Sequence, residues 1–452
     1  MTIERTGVPA IPIVTQRFQE LATTTSYKKG IPHLRTVYVP HPITDRPGDL
    51  CAKYVRGKDP LTGKPILDEI LAGLSGPLSA EDKKTGFLAR DPRPHYLALS
   101  TPTALEKMFH ENQWTDGSPI VLPTEERVAA LLKGTSHKPD EIVGSMRPSP
   151  PHEAWEYTVE MVAANAVMAG AKPEYFPTIL ALASTGVSSL FSSTSSFARM
   201  VVVNGPVRDQ IGMNSSIGAL GPFNQANSVI GRAWTLISKN LGGSGKPGET
   251  YLGSMGNVVN YNNLCFPEAE DRMPAGWKPL HVQKGFKPDE SVVSVFSGWS
   301  FSNIAWYSPL PQHEVIKNWL THFFSFGTGS ATLVLDPVTA ADIKEKGFAT
   351  KEEFSAWLSK NSKTPAWLYW STHEKELKQA QEGVEPYASY LKLGEGAEVP
   401  VSRFVRRPGS SANNVLAPTS SVEVLVTGGG TNTFWAGGDF SYIASASVDK
   451  WK

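Results

Sequence analysis

The sequence predicts an α/β protein: parallel strands with helices on both faces, plus a C-terminal α/β lobe. Three observations carry that expectation. Short apolar runs rich in valine recur along the chain, as in Met200-Val201-Val202-Val203 and Val422-Glu423-Val424-Leu425-Val426. Such runs, continuous or nearly so, suit strands covered on both faces, as parallel strands are. Helical segments lie between the runs. Three of the strands lead into glycine or Asn-Gly, at 200–206, 292–298 and 422–430, a weak sign of repeated α/β layers.

The chain has 452 residues, room for two or three domains at about 150 residues each. The reading is a partial α/β domain and connector at 1–100, a central α/β body at 101–330, and a C-terminal lobe with a polar insertion at 331–452. Lys+Arg 43 balances Asp+Glu 43, which argues against nucleic acid or an anionic membrane as the main partner. No run of 18 apolar residues occurs and no export signal opens the chain, so a soluble, cytoplasmic protein is expected. Two cysteines, Cys51 and Cys265, with no CxxC pair, fit a reducing compartment.

In order, Met1–Gly7 reads as the tail of a helix with its closing glycine. Residues 9–15 form a strand, 18–29 a helix stopped by Gly30, and 34–39 a second strand stopped by Pro40. This β-α-β unit leaves a parallel sheet with little on one side. Either the chain starts within a domain or it opens on a short edge strand. A helix follows at Leu67–Leu74, then the connector Arg90–His95 and a helix over 103–112. Trp114 precedes the Asp116-Gly117 turn, Ile120-Val121-Leu122 reads as a short buried strand, and Thr124 caps a helix over 125–133 with Glu125 and Glu126 in its first turn.

The helix of residues 159–169 carries a small face of alanines that allows close packing, and the next helix is 176–183. The strand at 200–203 opens a region dominated by Ser, Asn and Gly, with a helix at Val229–Ser238 between its clusters at 212–227 and 240–263. Further strands are expected at 291–297 and 332–335, and further helices at 312–324, 340–346 and 351–359. Residues 360–418 form a polar insertion with a helix near 374–381. Val422–Thr427 closes the sheet, and Trp299, Phe301, Trp306 and Tyr307 form an aromatic loop.

The sequence carries no P-loop, HExxH, GxSxG or dinucleotide fingerprint. Gly428-Gly429-Gly430 follows a strand but opens no helix, so it gives no nucleotide signal. Backbone-permissive loops after strands do suit close approach to a ligand. The substrate-binding candidates there are Asn204, Arg208, Asn214, Asn227 and Arg232, with Trp114 and Asp116 upstream. Each arginine offers a fork for a carboxylate, or a salt bridge to a structural acid such as Asp209. Asp116 also serves as a turn former. Cys265 is the nucleophile candidate, with His281 as its base and Glu268 or Glu270 to orient the imidazole. The alternative is a buried structural cysteine. The scattered histidines define no metal site.

Several long phrases carry a resemblance. They include Trp114-Thr115-Asp116-Gly117-Ser118-Pro119, Pro123-Thr124-Glu125-Glu126-Arg127-Val128, Asn165-Ala166-Val167-Met168-Ala169-Gly170, Pro173-Glu174-Tyr175-Phe176-Pro177, Val203-Asn204-Gly205-Pro206 and Ile230-Gly231-Arg232-Ala233. With these the chain resembles, over most of residues 1–345, a bacterial family related to the UGSC (seleno)protein family. Ser118 stands where that family's phrase has leucine. The resemblance implies that residues 7–42 are the second half of a domain whose first half holds a Cys- or Sec-Gly-Ser-Cys turn. This sequence has no such turn. Either a separate subunit supplies it or the coding region was started late.

The expectation is therefore the large component of a thiol- or selenol-dependent enzyme, an oxidoreductase acting on a small polar organic substrate. Its redox thiol or selenol would sit on a small α/β partner docked on residues 1–42. The alternatives are a self-contained hydrolase or lyase using Cys265 and a non-catalytic binding subunit. No other cofactor is indicated.

Overall fold

The computed structural model describes residues 8–43, 46–85, 95–149, 152, 154–192, 194, 197–304, 308–322, 331–394, 396–400, 422–431 and 434–452. The expected helix tail at 1–7, most of the connector at 90–95, Trp306, Tyr307, the end of helix 312–324 and the insertion beyond residue 400 lie outside them. The chain divides into two compact units. One comprises 1–100 with 149–154 and 246–250; the other comprises 101–148, 155–245 and 251–452. Among the described residues no helix is long and apolar enough to cross a membrane.

The first unit contains the expected β-α-β segment. Strands β1 (Ile13–Thr15) and β2 (Val37–Val39) are parallel, in the register Ile13↔Val37 to Thr15↔Val39. Helix Gln19–Lys28 connects them. A small core forms where Val37, Val39 and Ile66 are buried, with Ile11, Val55 and Ile70 packed on it. Helix Ile66–Ser75 thus covers Ile11, while Ile13 stays 49% exposed. Asp59 fixes the turn before that helix by accepting from the backbone N–H groups of Tyr38, Leu61 and Thr62.

The second unit begins with an antiparallel pair, β3 (Ile142–Met146) and β4 (Trp155–Thr158). Its centre is built from β5 (Ala198–Asn204), β6 (Leu264–Pro267), β7 (Val292–Gly298), β8 (Phe301–Ile304) and β9 (Ala331–Leu335). The later strands are β10 (Lys363–Pro365), β11 (Glu398–Pro400), β12 (Val422–Val426), β13 (Trp435–Gly438) and β14 (Ser441–Ser447). One central sheet has the order β14-β7-β5-β6 and the other β12-β9-β13-β8.

The two sheets follow one plan. Each has a parallel pair at one edge, β5 with β6 and β9 with β12, followed by two antiparallel neighbours. The fourth strand is exchanged. β8 follows β7 in the chain yet joins the second sheet, and β14 follows β13 yet joins the first. Residues 292–304 and 435–447 therefore run antiparallel through both sheets, paired from Ile304↔Trp435 to Val292↔Ser447. Where they cross, Asp439 accepts from the N–H groups of Trp299 and Ser300. A Cβ on Gly298 would stand 2.7 Å from the Phe440 ring, so the crossing admits no side chain there.

The sheets face each other through Ala198, Met200, Val202, Phe266 and Phe296 from one and Val334, Leu425 and Ala436 from the other, all buried. The outer face of the second sheet buries Leu333, Leu335, Val424 and Val426 against helices Gln312–His322, Pro337–Glu345 and Lys351–Asn361, through Ile316, Ile343 and Phe354. The first sheet is covered by helices Phe176–Ser184 and Gln225–Asn240, with Val159–Ala169 packed on both. Four layers result, α-β-β-α.

The α/β class holds, with a parallel pair at one edge of each central sheet. The sheets are mixed, and the C-terminal strands interleave with the preceding ones. Two-sided burial made every residue of β5 apolar or hydrogen-bonded, and a helix-flanked pair of sheets buries both faces as fully as a parallel sheet does. Residues 120–122 form no strand; the Val121 N–H bonds the Met168 carbonyl alone. Thr124 caps helix Glu125–Leu132 as expected, accepting from the Arg127 N–H. The described part of the insertion is a small layer of its own. Antiparallel β10 and β11 pack Val399 with Ala366 and Tyr369.

Helix Gln225–Asn240 lies so close to β6 that a Cβ on Gly231 would stand 2.0 Å from the Asn262 carbonyl oxygen and 3.1 Å from the Cys265 Cβ. Backbone cannot move aside as a flexible side chain can. Gly231→Ala is expected to destabilise the fold by about 1–3 kcal/mol, read as a lowered midpoint in urea unfolding. An unchanged midpoint would refute the close approach.

Candidate functional site

The parallel pairs of the two sheets bring their carboxyl ends together. The Ala269 N–H donates to the Val426 carbonyl, the Thr427 hydroxyl to the Pro267 carbonyl, and the Gly428 N–H to the Ser215 carbonyl. Open α/β sheets hold ligands outside the carboxyl ends of parallel strands, and this seam is where four such ends meet. Gly428, at φ +115°, turns the chain there in a conformation that a Cβ would strain.

Glu268 occupies the seam. It is 0% exposed and takes hydrogen bonds from four segments. Lys351 Nζ (2.7 Å) and the Val426 N–H (3.2 Å) reach Oε1; the Leu280 N–H (2.6 Å) and Asn204 Nδ2 (2.8 Å) reach Oε2. Lys351 is itself 1% exposed, so this is a buried ion pair with its carboxylate fully satisfied. Glu270 stands beside it, nearer solvent. Its Oε1 accepts from Asn204 Nδ2 (2.9 Å) and the Gly205 N–H (2.8 Å), with Arg208 Nε at 3.5 Å. His281 is buried with Nδ1 4.0 Å from that same oxygen and Nε2 3.4 Å from the Pro288 carbonyl.

Arg208 braces the group, donating Nη1 to the Glu268 carbonyl and Nε to the Gly205 carbonyl. Asp209 lies 3.4 Å from its Nη2. Arg272 ties the rim, donating to the Ser215 carbonyl and hydroxyl and to the Gly428 carbonyl. Across the seam Asp336 ends β9, and burial pushes its carboxyl above the ordinary carboxylate range. The Thr339 and Phe434 N–H groups hold its two oxygens. A carboxylate, an amide and a guanidinium thus stand together at the end of four strands.

The structure thus brings Asn204, Arg208, Glu268, Glu270 and His281 together and separates Cys265 from their chemistry. Cys265 lies on β6 against Gly231, and burial pushes its thiol up to about 12. His281 Nε2 hydrogen-bonds the Pro288 carbonyl, and its Nδ1 lies 4.0 Å from Glu270 Oε1. This is the environment of a structural cysteine, because the thiolate is the nucleophile and a dry apolar site disfavours it.

Arg232 also differs from the expected ligand role. Its fork is filled by Asp116, Nε to Oδ2 at 2.7 Å and Nη2 to Oδ1 at 3.0 Å, and Nη2 also reaches the Pro119 carbonyl. Asn240 Nδ2 holds the Trp114 carbonyl (2.9 Å) and Asn165 Oδ1 (2.8 Å). Trp114, Asp116 and Arg232 therefore clamp the 114–119 segment to helix Gln225–Asn240. Asn214 and Asn227 brace a loop, the Asn214 N–H donating to Asn227 Oδ1 and Asn227 Nδ2 to the Asn214 carbonyl.

Sequence reasoning missed Lys351, Arg272 and Asp336. A faint signal marked Lys351: a lysine opening a helix opposes the helix dipole, which Glu352 and Glu353 in the same turn suit. Among the described residues no group of three or more His, Cys, Asp or Glu is placed to hold a metal ion.

The UGSC family model matches residues 1–58, which hold both strands of the parallel pair in the first unit. That stretch is similar to the UGSC family; the phrases between 114 and 233 lie outside it. No curated protein and no solved structure matches the chain.

Removing one partner of a buried pair strands the other charge, at a cost of about 3–5 kcal/mol. Lys351→Met is expected to lower stability by that amount, and Lys351→Met with Glu268→Gln by less than the sum of the two single changes. Denaturant unfolding of the cycle measures the coupling; strict additivity would remove the pair from the account.

The thiols give a second check. At pH 7.5 iodoacetamide is expected to label the half-buried Cys51 of the folded protein faster than Cys265. Cys265 becomes reactive on unfolding. Faster labelling of Cys265 in the native state would restore it as a nucleophile.

Proposed function

We propose that this chain is the large component of a thiol- or selenol-dependent oxidoreductase whose redox turn is supplied by a small α/β partner. The observation that carries the reading is the coincidence of the UGSC match with a parallel sheet that has two strands among the described residues. Parallel sheets are stable when flanked and covered, and Ile13 on β1 stays half-exposed. An exposed strand edge with apolar side chains invites a further strand. Ile11 already packs on the helix Ile66–Ser75 side, so docking falls on β1 and Ile13 rather than on the whole 8–15 segment.

The other unit has the complementary part. Its seam of Asn204, Arg208, Glu270 and Arg272 binds the small polar organic substrate, and Glu268 with Lys351 holds that seam rigid. Cys265 is dry and protonated, unlike a redox thiol. In this reading the thiol or selenol belongs to the partner.

The test is purification of the tagged chain from its native source, followed by native mass measurement and sequencing of what travels with it. The expected result is a stable complex with a small chain carrying a Cys- or Sec-Gly-Ser-Cys turn, with Ile13→Asp abolishing it. A chain that stays alone, with wild-type and Ile13→Asp proteins behaving identically, would refute the proposal.

A further inference from the structure

In the first unit His41 stands at the carboxyl edge of the small parallel sheet. β1 and β2 are parallel, so Thr15 at the end of β1 and His41, just past β2, share one carboxyl edge. Thr15 is buried and its Oγ1 lies 3.1 Å from His41 Nδ1. Phe18 meets the imidazole edge-on, with ring centroids 5.6 Å apart at 85°. One ring nitrogen is thereby fixed and the ring is steadied from a second side, while the residue as a whole is exposed. A histidine held through one nitrogen presents the other as an oriented proton carrier.

The unit's other strand-associated histidine is occupied differently: His33 Nε2 lies 3.1 Å from Glu81 Oε1. Among the described residues no carboxylate is within ion-pair distance of His41. Among the described residues, the charged groups near His41 in the chain and in the turn after β1 are Arg17, Arg46 and Asp49.

We propose that His41, positioned by Thr15, is the acid–base partner of the redox thiol or selenol. This rests on the reading that a partner strand completes the sheet. A strand added parallel to β1 ends at the same edge as Thr15, and the turn that follows it is delivered beside His41. Reacting groups in parallel α/β units gather outside these ends. The step is a proton transfer: with the His41 Nδ1–H donating to Thr15 Oγ1, Nε2 carries the lone pair; the thiol S–H bond breaks, its electron pair stays on sulfur as thiolate, and the proton forms an N–H bond at His41 Nε2. The imidazolium then stands beside the thiolate and stabilises it, and the reverse step returns the proton.

The experiment uses the native complex and iodoacetamide, with alkylation of the Gly-Ser-containing turn followed by mass spectrometry from pH 5 to 9. An opposite charge at contact lowers an acid's pKa by about 1–3 units. In His41→Gln the alkylation midpoint is therefore expected to rise by about one unit or more, with Thr15→Val giving a smaller rise in the same direction. His33→Gln is expected to leave the profile in place. An assembled complex with the same midpoint in wild type, His41→Gln and Thr15→Val overturns the assignment of His41 and leaves the partner reading standing. Should His41→Gln fail to assemble, Thr15→Val decides: a rise supports the assignment and an unmoved midpoint overturns it. If the wild-type chain yields no complex, both readings fall together.

Discussion

The buried carboxylate of Glu268 is the constraint on which the larger unit depends. Removing a carboxylate from water is costly unless charge and hydrogen bonds replace the lost solvation. Here a buried ammonium, two backbone N–H groups and an amide do so, and they come from four places in the chain. Each donor locates an element: Asn204 the end of β5, Leu280 the short helix after the seam, Lys351 the start of helix Lys351–Asn361, and Val426 the end of β12. The acid is therefore a junction, and its neighbours Asn204 and Glu270 inherit its rigidity.

The exchanged strands explain why such a junction exists. Each sheet contributes a parallel pair and borrows its fourth strand from the other half of the chain. The crossing ribbon of 292–304 with 435–447 fixes the two sheets to one another, and the seam of carboxyl ends lies where their parallel edges meet. A polar centre in that position is supported from both sides by rigid strands, while the loops at 212–224 and 427–431 stay outside the layers. Ligand-binding groups on loops above a rigid scaffold are a common solution for specificity.

The first unit works by the opposite logic. Among the described residues its sheet has two strands, its core packs around Ile66, and its carboxyl edge carries the oriented His41. The family match falls on this part, and the dense α/β body lies outside it. The proposed division of labour follows: a seam for the substrate in one unit, an edge for the redox partner in the other.

The sequence by itself determined the local elements. The helix cap at Thr124 and the apolar strands β5, β7, β9 and β12 were written in short-range chemistry, because a cap or a strand run is decided within a few residues. It also placed the Asn/Gly loops after strands. What only the tertiary structure decided was pairing. An apolar run reports burial on both faces but not strand direction, so mixed sheets read as parallel ones. Cys265 and His281 are sixteen residues apart in the chain, yet the thiol packs on Gly231 while the imidazole turns to Glu270. Arg232 found Asp116 across more than a hundred residues, and Glu268 found Lys351. Ion pairs of that separation leave no local trace, since the partner that satisfies a buried charge is set by where whole layers pack.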